Sequence, residues 1–212
     1  MIAKIWKEIA GYELKLPVRR MTYKQAVDSY GIDRPDLRFD MKLQDISDIA
    51  VKSTFKVFTS TVENGGIVKG LCATGAGGYS RSDIEKTLTE FTASYGAKGL
   101  AWFKVAAAED GSGVIDLKSN IAKFFTDEQR QELIKRFDAK DGDLMLFVAD
   151  KEAAANKALA PLRVKLGKDL GLYEENALAF VWVVDFPMFE WDGENKRWSS
   201  LHHPFTAPLA ED

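Results

Sequence analysis

The stretch SRSDIEKTLTEFTASYGAKGLAWFKVAA, residues 80–107, decides the fold class, because its hydrophobic period changes partway along. Ile84, Leu88, Phe91 and Tyr95 recur at helical spacing, and Gly96 stands where a left-handed C-cap belongs, so a helix is predicted from about Arg81 to Tyr95. Leu100 to Ala107 then reads as a strand. Upstream, Phe55 to Val62 and Ile67 to Ala73 are short runs rich in β-branched and aromatic residues. Asn64-Gly65 lies between them, which predicts two strands joined as a hairpin. Downstream, Asp127 to Phe137 reads as a helix with Leu133, Ile134 and Phe137 inward, Asp143 to Ala149 as a strand, and Lys151 to Leu170 as a helix kinked at Pro161. This order predicts an α+β two-layer sandwich, one mainly antiparallel sheet covered by helices on one face.

The flanks read differently. Tyr23 to Tyr30 is a short amphipathic helix with Thr22 as N-cap and Gly31 as its stop. Asp33-Arg34-Pro35-Asp36-Leu37-Arg38 follows, dense in charge around a proline that forces Arg34 toward extended backbone, and is predicted to be an ordered loop. At the other end, Ala177 to Val184 (ALAFVWVV) is the continuous apolar run of a strand buried on both faces. Such a strand calls for a larger sheet than its neighbours supply.

The 212 residues are 46% hydrophobic and 29% charged, with a net charge of −3, enough apolar material for a packed core and no global basic field for phosphate backbones. The N-terminal residues have no secretory pattern and no apolar run reaches membrane-spanning length. A lone cysteine, Cys72, forms no internal disulfide, so a cytoplasmic location is expected.

Few residues offer chemistry. The two histidines, His202 and His203, are adjacent, point to opposite faces if the chain is extended, and make a poor chelate, so no metal site is expected. Gly75-Ala76-Gly77-Gly78 precedes a helix and could receive an anion, yet it lacks the phosphate-loop pattern and reads foremost as turn and cap. Lys151, Lys157, Arg163, Lys165 and Lys168 read as a solvated helix face, with phosphate contact as the alternative. Trp102 and Phe103 read as core.

Two segments carry a resemblance. PVRRMTYKQAVDSYGIDRPDLRF (Pro17 to Phe39) is similar to the segment PRMTYxEAMxxYGxDKPDLRF of bacterial-type aspartate–tRNA ligases, which are class II aminoacyl-tRNA synthetases. VWVVDFPMFEWDGENKRWSSLHHPFTAP (Val181 to Pro208) resembles a later segment of the same catalytic domain, with its VxDFPMFE and MHHPFTxP patterns. The resemblance implies a domain plan in which 1–52 precedes an inserted GAD domain at 53–172 and 173–212 resumes the catalytic domain. It further implies ATP-dependent aspartyl-adenylate formation with Mg2+, transfer to tRNA, a homodimeric full-length enzyme, and His202 and His203 as substrate-pocket residues, His202 foremost. Asp33, Asp36 and Arg38 match the pattern and are expected to order their loop, whereas Arg34 replaces a lysine.

The anticodon-binding barrel, the dimer-forming first motif, the FRDED-like second motif and the arginine-bearing third motif of such an enzyme do not appear. The chain alone is therefore expected to hold no cofactor, to be inactive and possibly monomeric. Its partners are expected to be tRNA and the rest of the catalytic domain, with the insert accessory to their positioning. The alternative is a stand-alone α+β binding module. An enzyme segment predicts that Tyr23 to Arg38 and Ala177 to Thr206 lie side by side with apolar surface exposed, whereas a stand-alone module predicts closed ends.

Overall fold

The computed structural model describes residues 1–107, 114–193 and 195–201. In chain order its elements begin with α1 (Ile2–Ala10), β1 (Arg19–Thr22) and α2 (Tyr23–Tyr30). Thr22 and Gln25 cap α2 reciprocally: the Gln25 amide donates to Thr22 Oγ1 at 3.1 Å and the Thr22 amide to Gln25 Oε1 at 3.0 Å. Gly31, at φ 73°, ends the helix as expected.

Next come β2 (Gln44–Asp45), α3 (Ser47–Ala50) and α4 (Lys56–Glu63). The expected strand at Phe55 to Val62 is therefore a helix. Phe55, Phe58 and Val62 fall on one helical face, and the hydroxyls of Ser60 and Thr61 donate one turn back, to Lys56 O at 2.6 Å and Val57 O at 2.7 Å. Those internal bonds offset the modest helix propensity of Ser, Thr and Val. The expected hairpin at Asn64-Gly65 is instead the end of α4, where Gly65 adopts φ 73°. A helix stop and a hairpin both need positive φ, so the dipeptide alone does not separate them.

β3 (Ile67–Ala73) leads to a helix that is π-helical over Asp83–Leu88 and becomes α5 at Thr89–Ala93, with Gly96 at φ 98° just beyond it. Then follow β4 (Ala101–Ala107), β5 (Ile115–Lys118), α6 (Asp127–Arg136), β6 (Leu144–Asp150) and α7 (Glu152–Asp169), which continues through Pro161. The chain finishes with β7 (Val181–Val184), β8 (Phe189–Asp192) and β9 (Arg197–Ser200).

The chain forms two compact units, Val27–Leu178 and Met1–Ala26 with the described part of Ala179–Asp212, the division falling within α2. The larger unit holds an antiparallel five-stranded sheet in the order β2-β3-β6-β4-β5, which gives the expected α+β class. Its layering differs from the expected one-sided cover. Along β6, Leu144, Leu146 and Val148 join one cluster with Leu159, Leu162 and Leu166 of α7, while Met145 and Phe147 join a second with Ile49, Phe58 and Leu133 of α3, α4 and α6. Alternate residues of a strand face opposite sides, so the sheet carries helices on both faces. The strand LMLFVAD is almost continuously buried, as a two-sided strand must be.

In the smaller unit β1 and β7 pair in parallel, with Arg19 opposite Val181 and Thr22 opposite Val184. β8 and β9 form an antiparallel pair in which Trp191 and Trp198 meet edge to face at 5.6 Å. Trp6 of α1 packs edge to face on Phe180 at 4.9 Å. The expected strand at Ala177 begins only at Val181, and it is not buried on both faces: Trp182 is 52% exposed. Segments from the two ends of the sequence thus lie side by side through Arg19–Thr22 and Val181–Val184, whereas Val27 to Arg38 belongs to the larger unit.

Candidate functional site

The charged loop predicted at 33–38 is held from both sides. Asp36 accepts from Arg38 three ways, from Nη2 at 2.7 Å, Nε at 3.0 Å and the backbone amide at 3.1 Å. The guanidinium bonds hold the Asp36 carboxyl below the usual carboxylate range. Arg38 lies 3.9 Å over the ring of Tyr173, and Asp33 is half-buried in the turn after Gly31.

Arg163, grouped by sequence with a solvated basic face, is instead 1% exposed. It donates to the carbonyls of Met41 (2.5 Å), Asp36 (2.8 Å) and Phe39 (2.7 Å), and its guanidinium carbon lies 4.0 Å from the Phe39 ring. Burial lowers its pKa from the free value. Three carbonyls and two rings satisfy the planar fork, so this arginine ties the loop to α7 and is unavailable to phosphate. Lys151, Lys157 and Lys168 remain exposed, and Lys165 pairs with Asp169 at 2.9 Å.

At the glycine-rich turn, the place of an anion is taken from within. The buried Asp143 carboxylate accepts from the Gly75 amide and the Lys140 amide, each at 2.8 Å. Ser80 and Asp83 then cap the next helix reciprocally. Cys72 lies beside the same carboxylate, and burial with that negative neighbour pushes its thiol up to about 12. It is no nucleophile at neutral pH.

The concavity of the larger unit is a cavity of about 610 Å³, within the roughly 300–1,000 Å³ typical of ligand sites. Phe58 and Phe147 form its floor, with Phe55, Leu100 and Trp102 on the walls. Lys98 pairs with Asp150 across it at 3.1 Å. Strand register explains that pair: Ala101 stands opposite Phe147, so continuing the antiparallel ladder three residues brings Lys98 to Asp150. β4 begins only at Ala101, and the cavity opens where the ladder stops. Glu85, from the π-helical turn, also lines it. Sequence reading did not single out this site. Its residues come from segments nearly one hundred positions apart, and only the unexplained π-helix marks it locally. Trp102 serves both readings, packed partly on one core cluster and facing the cavity.

His202 and His203 lie outside the described residues. Among the described residues no three His, Cys, Asp or Glu side chains converge to hold a metal, so they supply no Mg2+ site. No helix among them is long and apolar enough to cross a membrane.

The larger unit's fold and cavity are those of a GAD domain, the family that residues 58–159 match. From end to end the chain is moreover homologous to bacterial aspartate–tRNA ligases. It is 50% identical over its whole length to an aspartate–tRNA(Asp/Asn) ligase of Geotalea uraniireducens, of which it covers 34%. It is 51% identical to an aspartate–tRNA(Asp/Asn) ligase of Bacillus subtilis and 51% identical to an aspartate–tRNA ligase of Bacillus licheniformis, covering 35% of each. The chain thus spans about a third of the length of the curated relatives it matches.

Proposed function

We propose that this chain is the part of an aspartate–tRNA ligase in which the GAD domain interrupts the catalytic domain, with 1–52 and 173–212 as catalytic-domain segments around an insert at 53–172. The observation that carries this reading is the parallel pairing of β1 with β7. It joins segments from either side of the larger unit into one two-stranded sheet whose Trp182 is half-exposed. Parallel sheets are rarely left uncovered, so such a pair calls for further strands. The rest of the catalytic domain is the partner that supplies them.

In the whole enzyme the reaction would be condensation of aspartate with ATP to aspartyl-adenylate, followed by transfer to tRNA, in a homodimer in the cytoplasm. ATP is a substrate there, and Mg2+ would screen its phosphates. His202 and His203 are assigned to the substrate pocket. Asp36 and Arg38, with Asp33 beside them, are assigned the ordering of the loop that follows α2. The insert is accessory, positioning tRNA or the catalytic domain, and the chain by itself does not activate aspartate.

Two measurements test this. ATP–pyrophosphate exchange dependent on aspartate should be undetectable with the 212-residue chain, and measurable exchange refutes its inactivity. Titration with aspartate tRNA at two salt concentrations should show salt-sensitive binding, whereas no binding at either refutes a tRNA-positioning role.

A further inference from the structure

The GAD-domain cavity is unexplained by anything above, and two independent features mark it as a built site. The first is its composition: aromatic floor and walls from Phe55, Phe58, Trp102 and Phe147, with the Asn64 and Asn120 amides at the rim. The second is the six-residue π-helix Asp83–Leu88, which contributes Glu85 to the lining. π-Helical turns are rare and concentrate at functional sites.

The charge pattern narrows the ligand. Lys98 and Lys151 stand against Glu85 and Asp150, two cations and two anions, so the lining is neutral. Lys98 is taken by Asp150 at 3.1 Å and Glu85 by Arg81 at 2.9 Å. A phosphate would find no surplus positive charge here. A neutral, planar, polar-edged ring finds aromatic faces to lie on and amides that match its edge, the combination by which aromatic and Asn side chains take purine bases.

We infer that this cavity accepts an unpaired purine base, held by stacking and amide hydrogen bonds and not by its phosphate. The inference rests on the reading that tRNA is the partner, and it assigns the cavity to a single unstacked nucleotide of that RNA.

The test uses the 212-residue chain with adenosine as the probe, followed through the amide resonances of Gly66, Gly99 and Asn120. Adenosine should shift these saturably, with an affinity nearly unchanged between about 50 and 200 mM salt, because no phosphate is neutralised. Gly99→Phe should abolish the shifts: a Cβ at Gly99 meets no atom within 4 Å, so the ring fills the cavity without disturbing the fold. Asn120→Ala, at an exposed position, should weaken binding and guards against any folding defect in the first variant. Absence of saturable shifts, or their persistence in Gly99→Phe, overturns the inference. So does tighter binding of N-acetyltryptophanamide at the same amides, which would make the cavity a pocket for a peptide side chain. With aspartate tRNA as titrant, Gly99→Phe should bind about tenfold more weakly than the unaltered chain. Equal binding by both overturns the base-binding inference and leaves the tRNA role standing. Absence of binding by either removes the tRNA role, and the adenosine titration alone then decides the cavity.

Discussion

Arg163 donates from Nη2 to the Phe39 carbonyl at 2.7 Å while its guanidinium lies 4.0 Å over the Phe39 ring. Both polar and apolar parts of one residue are thus used to fasten the 36–41 loop to α7. On the far side of that ring, a Cβ at Gly167 would lie 2.5 Å from Phe39 Cζ, so the aromatic sits directly on the helix backbone.

Replacing Arg163 by Met should therefore destabilise the protein by about 3 kcal/mol, since three loop carbonyls lose their donor at once and one of them belongs to the residue that covers the helix. Urea unfolding measures this. A loss below about 1 kcal/mol would show that water satisfies those carbonyls as well as the arginine does.

Gly70 permits the closest strand approach in the sheet. A Cβ there would lie 2.3 Å from Phe147 Cδ1 and 2.5 Å from the Leu146 carbonyl oxygen. Because the second neighbour is backbone and cannot rotate away, Gly70→Ala should cost about 3 kcal/mol in thermal or urea unfolding despite the better strand propensity of alanine. A neutral substitution would mean that β3 and β6 slide apart freely.

The Cys72 thiol, raised to about 12, should react with a disulfide reagent at pH 8 on the order of a hundredfold more slowly in the native protein than in urea. Asp143→Asn should speed the native reaction, because it removes the negative neighbour while leaving burial in place. Equal rates in native and unfolded protein would place the thiol at the surface.

Acid should unfold the larger unit in a window set by its paired carboxylates. Asp36 is held low by Arg38, and Asp48 by its hydrogen bonds from Arg136. Both groups release their proton more readily folded than unfolded. Their stabilisation is thus complete above the ordinary carboxylate pKa of about 4 and is lost as pH falls through the lower folded values. Stability measured by urea at several pH values should be level from pH 7 to about 5 and fall below about 4. Asp48→Asn should flatten that fall. An unchanged acid slope in the variant would show that the Arg136 pair contributes nothing.

Several elements were legible because their signals are local. Thr22 and Gln25 three residues apart, Gly31 and Gly96 beyond helix ends, and the apolar period through Ile84, Leu88 and Phe91 each act within a turn or two of chain. So does the Thr126–Gln129 capping box of α6. The segment at Phe55 to Val62 misled because its residues favour strands by propensity, whereas burial of Phe58 against Phe125 and Phe147 is a long-range contact that propensity does not record. Arg163 misled for the same reason: a basic residue on a helix is solvated unless distant carbonyls meet it, and those of Asp36, Phe39 and Met41 lie more than 120 positions away.

By itself the sequence determined the α+β class, most helix boundaries, the absence of a disulfide and the likeness of both ends to one ligase family, since each is written in neighbouring residues or unbroken motifs. Only the tertiary structure decided that helices cover both faces of the sheet, that Arg19–Thr22 lies against Val181–Val184, and that a cavity opens where β4 leaves β6. Those features depend on which strands pair and in what register. Pairing is selected by burial summed over the whole chain, and no short stretch carries that sum.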